Sequence, residues 1–187
     1  MSDGAQALES VAPGTDGRPS DTASILMPPE PRPLQELLDR VPRAEIVGNP
    51  SIPIGGITYR SQDVRPGWLF FCVPGERADG HRFAERAVSA GAAALVVERP
   101  LSLRVPQVVV GDVREAMALA AAEFFGRPTQ ELEIAAVTGT NGKTTTAFLL
   151  YSILETAGRR PGLLGTIESR VGGERRPALR TTPEAID

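Results

Sequence analysis

The chain has 187 residues, 41% hydrophobic and 23% charged, with a formal net charge of −3 and an isoelectric point near 5.3. That balance argues against a nucleic-acid-binding surface, and no apolar run reaches the roughly 18 residues a membrane span needs. Cys72 is the one cysteine, so no disulfide can form within the chain. The N-terminus lacks a basic region followed by an apolar core, so no secretory signal is expected and the cytoplasm is the expected compartment.

Residues 1–33 are rich in Gly, Pro, Ser, Ala and Asp without hydrophobic period, and read as a disordered leader. Pro33 suits a first helical turn, with Leu34, Leu37, Leu38 and Val41 on one face. Strand-like segments follow at Ile52–Tyr59 and Trp68–Val73, separated by the turn Arg65-Pro66-Gly67. Cys72 lies inside the second of these and reads as a small buried side chain. Asp79–Gly91 reads as a helix burying Phe83, Ala87 and Ala90. Short strands are expected at Ala93–Val97 and Gln107–Val110. Asp112, followed three residues later by Glu115, has the pattern of a helix cap. The helix it opens should bury Val113, Met117, Ala120 and Phe124, and stop at Gly126 and Pro128. Residues 34–128 are thus expected to form a compact α/β unit.

The stretch from Glu133 to Gly158 carries the strongest pattern. The apolar run Ile134-Ala135-Ala136-Val137 suits a buried parallel strand. It leads into the turn Thr138-Gly139-Thr140-Asn141-Gly142 and then into Lys143-Thr144-Thr145, which opens an amphipathic helix. Ala147, Leu150, Leu154 and Ala157 fall on one face of that helix, and Gly158 stands where a left-handed residue would end it. Strand, glycine turn, Lys-Thr and helix together form the context of a phosphate-binding loop. Gly139 and Gly142 let successive N–H groups turn toward phosphate oxygens, and the helix start adds unpaired donors. Lys143 supplies a point charge, and the Thr144 hydroxyl can ligand Mg²⁺. The common pattern has its first glycine at the position of Val137. Here that glycine has moved to Gly139, so the loop is a variant, to be weighed against an ordinary strand-to-helix turn.

Beyond the helix, Gly162–Arg170 reads as a strand and Gly172-Gly173 as a turn. Arg170, Arg175, Arg176 and Arg180 either clamp an anion or form a solvated hairpin face, the commoner use of such a run. His81 has no second histidine to share a metal, and reads as a capping or substrate-contact residue. Gly75–Gly80 follows a strand end, where α/β folds place ligands, although a plain loop fits as well.

Residues 57–83, ITYRSQDVRPGWLFFCVPGERADGHRF, resemble the uridine-nucleotide-binding domain of the bacterial Mur ligases. TGTNGKTTT at 138–146 resembles their ATP loop, displaced glycine included. LLGT at 163–166 and TTPE at 181–184 favour the member that adds a diamino acid to UDP-N-acetylmuramoyl-L-alanyl-D-glutamate. The resemblance implies a small α/β UDP-binding domain at 34–128, followed at 129–187 by the start of a parallel-sheet ATP-binding domain. It implies ATP contacts at Gly139, Thr140, Asn141, Gly142, Lys143, Thr144 and Thr145, Lys143 being catalytic and Thr144 holding Mg²⁺. UDP-substrate contacts are implied at Tyr59, Ser61, Glu76, Arg77, Ala78, Thr181 and Thr182. Arg60 and Gln62 depart from the Asp-Ser-Arg of the family on either side of Ser61, and Trp68 replaces a usual Asp. The implied chemistry is phosphorylation of the D-glutamyl carboxylate by ATP, then displacement of phosphate from the acyl phosphate by the amine of a diamino acid, with diaminopimelate favoured and lysine left open. A monomer is expected.

Three other readings remain open. The ligase adding D-Ala-D-Ala shares the first-domain pattern, but usually has Ser at the position of Asn141 and lacks TTPE. A phosphate-loop kinase or GTPase would ignore UDP-sugars, and a non-catalytic UDP-substrate module would lack ligation. Because the chain ends inside an incipient helix, with few residues after Lys143, it is expected to be an incomplete ligase without activity of its own.

Overall fold

The computed structural model describes residues 30–75, 78–178 and 183–186, so the leader expected at 1–33 falls almost wholly outside them. In chain order the first unit holds β1 (Arg32–Pro33), α1 (Leu34–Leu38), β2 (Glu45–Val47), β3 (Pro53–Ile54), β4 (Gly56–Thr58) and β5 (Trp68–Phe71). A 3₁₀ turn, Gly80–Phe83, then runs into α2 (Ala84–Ser89), and β6 (Ala94–Val97), β7 (Gln107–Val109) and α3 (Val113–Phe124) follow. Five of these strands form one sheet in the order β2-β7-β6-β5-β4. Strands β4 to β7 run parallel, and β2 closes the edge antiparallel to β7.

Successive side chains of a strand point to opposite faces, and both faces here are covered. Leu69, Phe71, Ala94, Val96 and Val108 meet Leu34 and Leu37 of α1 and Val113, Met117 and Ala120 of α3. Their alternates Phe70, Cys72, Leu95 and Val97 meet Ala84 and Ala87 of α2, with Val64. Such two-sided burial is why these strands are near-continuous apolar runs. Each large side chain so buried stabilises the unit by about 1.5–3 kcal/mol. The fold class is therefore mixed α/β with a parallel sheet.

Several expected elements appear in altered form. Ile52–Tyr59 is two strands, because the chain breaks at Gly55: β3 pairs with β1, whereas β4 joins the main sheet beside β5. The helix expected over Asp79–Gly91 begins as a 3₁₀ turn capped by Asp79, which changes the register of its buried face. Ala84 and Ala87 are buried, while Phe83 is 41% exposed and Ala90 lies at the surface. Strand β2 was not expected; three residues leave no readable period, and its place comes from backbone pairing with β7. Trp68 lies against Gly56, where a Cβ would come within 2.3 Å of the indole, and under the Arg65 guanidinium at 5.5 Å. Trp68 is thus a packing residue.

After a 3₁₀ turn at Pro128–Gln130 come α4 (Lys143–Thr156), β8 (Leu163–Leu164), β9 (Glu168–Val171) and β10 (Glu174–Pro177). Residues 134–137 form no strand, and Ile134 is 70% exposed. A parallel strand draws its hydrogen bonds and burial from neighbours, and none of the described residues lies paired beside this run. The segment expected as one strand at Gly162–Arg170 is β8 and part of β9, joined to β10 in a three-stranded antiparallel sheet. Gly172 and Gly173 take positive φ at its turn. On α4, Ala147, Leu150 and Leu154 are half-buried and Ala157 is exposed; the buried residue is Tyr151.

Candidate functional site

The glycine turn has the backbone its sequence requires. Gly139 has φ +147° and Gly142 φ +77°, both in the region where a side chain is strained. Gly142 is the N-cap of α4 and makes no side-chain cap bond, and the first helical bond runs from Thr146 N to Gly142 O at 2.9 Å. The N–H groups of Lys143, Thr144 and Thr145 therefore belong to the unpaired first turn that favours anions. Lys143 Nζ donates to Gly139 O at 2.6 Å and Thr140 O at 3.4 Å, holding its charge at the loop. Thr140, Asn141, Gly142 and Thr145 are exposed and Thr144 is half-buried. Positive-φ glycines, open space beside Gly142, a helix start and an ammonium suit a nucleotide phosphate. The loop is solvent-facing, because the run before it is not built into a sheet.

A second group of residues gathers at the C-terminal edge of the parallel strands, where doubly wound sheets bind ligands. Past β4, Thr58 Oγ1 accepts from Arg60 N at 3.1 Å. The Arg60 guanidinium lies over the Tyr59 ring at 5.0 Å and donates to its hydroxyl at 2.8 Å. Ser61 is buried beside them. Arg60, which stands where the resemblance leads one to expect Asp, thus serves to orient Tyr59. Past β5, Ala78 is exposed and Asp79 follows it. Glu76, Arg77, Thr181 and Thr182 lie outside the described residues, although Glu184 just beyond accepts from Arg114 Nη2 at 3.1 Å. Arg114 is in the first turn of α3, past the end of β7, so Glu184 returns to the same edge of the sheet.

Asp79, His81 and Arg99 join the ends of β5 and β6. Asp79 Oδ1 lies 2.6 Å from His81 Nδ1, and Oδ2 accepts from Arg99 Nη2 at 2.6 Å. His81 Nε2 accepts from Glu98 N at 3.0 Å. The Arg99 guanidinium first, and the His81 backbone N–H next, hold the Asp79 carboxyl well below the usual range. Burial, reinforced by the charge of Asp79, pushes the Cys72 thiol up to about 12, which makes it inert as a nucleophile. The cap of this turn is therefore Asp79, and His81, expected as a capping residue, is a buried strut between Asp79 and Glu98 N. Arg99 escaped the sequence reading because it stands twenty residues from Asp79, and only strand pairing brings the two together. Of the arginines beyond α4, Arg170 lies over Phe148 at 4.8 Å and Tyr151 at 5.1 Å, and Arg176 pairs with Glu174. Packing thus occupies Arg170, and the hairpin-face reading holds for Arg176.

Two family models match this chain: the Mur ligase family, catalytic domain, over residues 53–125, and the Mur ligase middle domain over residues 137–187. The chain belongs to the Mur ligase family. A UDP-N-acetylmuramoyl-L-alanyl-D-glutamate–2,6-diaminopimelate ligase of Geobacillus thermodenitrificans is 49% identical over 155 residues, 82% of this chain and 31% of the relative. The ligase of the same description from Aquifex aeolicus is 48% identical over 133 residues, 71% of this chain and 28% of the relative. This Mur ligase chain thus spans about 30% of the length of those relatives. Among solved structures, a UDP-N-acetylmuramoyl-L-alanyl-D-glutamate–2,6-diaminopimelate ligase aligns with TM-score 0.63 and 25% identity over 82% of this chain and 31% of its own. MurF from Acinetobacter baumannii aligns with TM-score 0.57 and 34% identity over 70% of this chain and 29% of its own. Among the described residues, no helix is long and apolar enough to cross a membrane.

Proposed function

We propose that this Mur ligase chain belongs to an ATP-dependent, Mg²⁺-requiring ligase of cytoplasmic peptidoglycan precursor synthesis. The ligase joins a diamino acid to UDP-N-acetylmuramoyl-L-alanyl-D-glutamate. One observation carries the reading. The chain combines a glycine loop closing onto Lys143 at the start of α4 with a parallel sheet whose C-terminal edge gathers Tyr59, Ser61 and Ala78. Residues 34–128 form the substrate unit and 129–187 begin the nucleotide unit. In the first, Tyr59, Ser61, Glu76, Arg77 and Ala78 bind the UDP part, while Thr181 and Thr182, toward the end of the second, contact the muramoyl peptide. In the second, the N–H groups from Gly139 to Thr145 bind phosphate, Lys143 neutralises charge there and Thr144 holds the metal. Bound ATP supplies the phosphoryl group that activates the D-glutamyl carboxylate. The names of the sequence relatives favour diaminopimelate over lysine as the incoming amine.

The test is titration of the ¹⁵N-labelled chain with UDP-N-acetylmuramoyl-L-alanyl-D-glutamate. Amides beside Tyr59, Ser61 and Ala78 should shift at millimolar ligand; no shift would sink the assignment. Lys143→Ala should weaken Mg-ATP binding about ten- to hundredfold, the value of one charge-assisted hydrogen bond, and an unchanged dissociation constant would remove Lys143 from the site. The second reading, a ligase adding D-Ala-D-Ala, draws on the MurF alignment. It requires the UDP-tripeptide to bind more tightly than the UDP-dipeptide.

A further inference from the structure

Beyond β5 the chain leaves the sheet and returns to it within a few residues, and both limbs of that excursion are fixed. Cys72 N donates to Val96 O at 2.9 Å, Gly75 N to Ala78 O at 3.1 Å and Gly80 N to Val73 O at 3.1 Å. Pro74 and Asp79 face each other as an isolated antiparallel bridge. The returning limb runs so close to β5 that a Cβ on Gly80 would lie 2.6 Å from the backbone N and O of Val73. Only glycine allows that approach.

A lateral tie holds the returning limb to the end of β6. Glu98 N–H can only donate, so His81 Nε2 accepts from it, and the ring proton resides on Nδ1, which donates to Asp79 Oδ1. Asp79 Oδ1 also accepts from His81 N at 3.0 Å, and Oδ2 accepts from Arg99 Nη2. Both carboxylate oxygens are used, and both partners lead to the end of β6, His81 through Glu98 N and Arg99 as the next residue. The His81 side chain is 2% exposed, whereas those of Asp79 and Arg99 are 34% and 57% exposed. An ion pair so exposed adds little to global stability. Its effect is geometric: it fixes the orientation of the residue that directly follows Ala78.

We propose that Arg99, acting through Asp79 and His81, is a positioning residue that fixes the returning limb Ala78–Gly80 where the uridine part of the substrate is received. This rests on the reading above that Ala78 belongs to the UDP contact. The test uses the full chain and its Arg99→Ala, Arg99→Lys and Asp79→Asn variants, followed by NMR with UDP-N-acetylmuramoyl-L-alanyl-D-glutamate and by thermal melting. His81 is the only histidine in the sequence, so its ring ¹⁵N signals report the tautomer without ambiguity. Arg99→Ala should keep the melting temperature, move the Gly75, Ala78 and Gly80 amides and weaken binding about tenfold. Arg99→Lys should recover part of that loss, and Asp79→Asn should also perturb the His81 ring signals. Unchanged affinity in Arg99→Ala overturns the proposal. If the parent chain itself does not bind, the UDP reading fails and the amides decide alone: unmoved in Arg99→Ala they overturn the clamp, moved they uphold it as the device that shapes this segment.

Discussion

Because Arg99 and His81 both donate to Asp79, the folded state holds its carboxyl below the ordinary value of 3.8. The unfolded chain then takes up the proton first as the pH falls, so the contribution of Asp79 is fully present above about pH 4 and is lost as the pH drops below that. Because the Asp79 side chain is 34% exposed, urea midpoints of the parent chain and Asp79→Asn should differ only slightly at pH 7, and that difference should narrow as the pH falls below about 4. A constant difference would assign the effect to packing instead. At this scale the sequence showed the residue types but not their partners. The capping role expected of His81 belongs to Asp79, which accepts from His81 N. Its bond to Arg99 joins the ends of two neighbouring strands and has no local signature.

At the scale of single elements, α3 is the clearest case. Asp112 has extended backbone, and its carboxylate accepts from Arg114 N at 2.7 Å and Glu115 N at 3.0 Å, satisfying two of the four donors a helix start leaves free. The helix then buries Val113, Met117, Ala120 and Phe124 against the sheet, and stops at Gly126 with φ +72°. Asp112→Ala should cost about 1 kcal/mol, seen as a lower urea midpoint with an unchanged slope. A changed slope would instead mean that the compactness of one state has altered. This helix was legible because cap, periodicity and stop are all local. Residues 134–137 show the reverse. Their composition suits a strand, but a strand exists only through its neighbours, and Ile134 stays exposed.

Across the whole molecule, burial is uneven. Leu69 and Phe71 of β5, Leu95 and Val96 of β6, Val108 of β7 and Val113 and Met117 of α3 are inaccessible to solvent, whereas Leu132, Ile134, Leu149, Ile153, Leu164 and Ile167 are each at least 59% exposed. Free energies of local opening follow such contrasts. Amide hydrogen exchange should therefore be slowest in β5–β7 and α3, and near the unprotected rate over residues 131–142. Equal protection in both regions would contradict this distribution of stability. By itself the sequence determined the α/β class, the capped helix, the apolar strands and the glycine-lysine loop with its positive-φ turns, since each follows from local periodicity, capping or backbone freedom. Only the tertiary structure decided the strand order with β2 at its edge, the division of Ile52–Tyr59 between two sheets and the joining of Asp79, His81 and Arg99. It also decided that the run before the loop lies outside any sheet. Those features depend on hydrogen bonds and burial supplied by residues distant in the chain, and no short stretch of sequence carries that information.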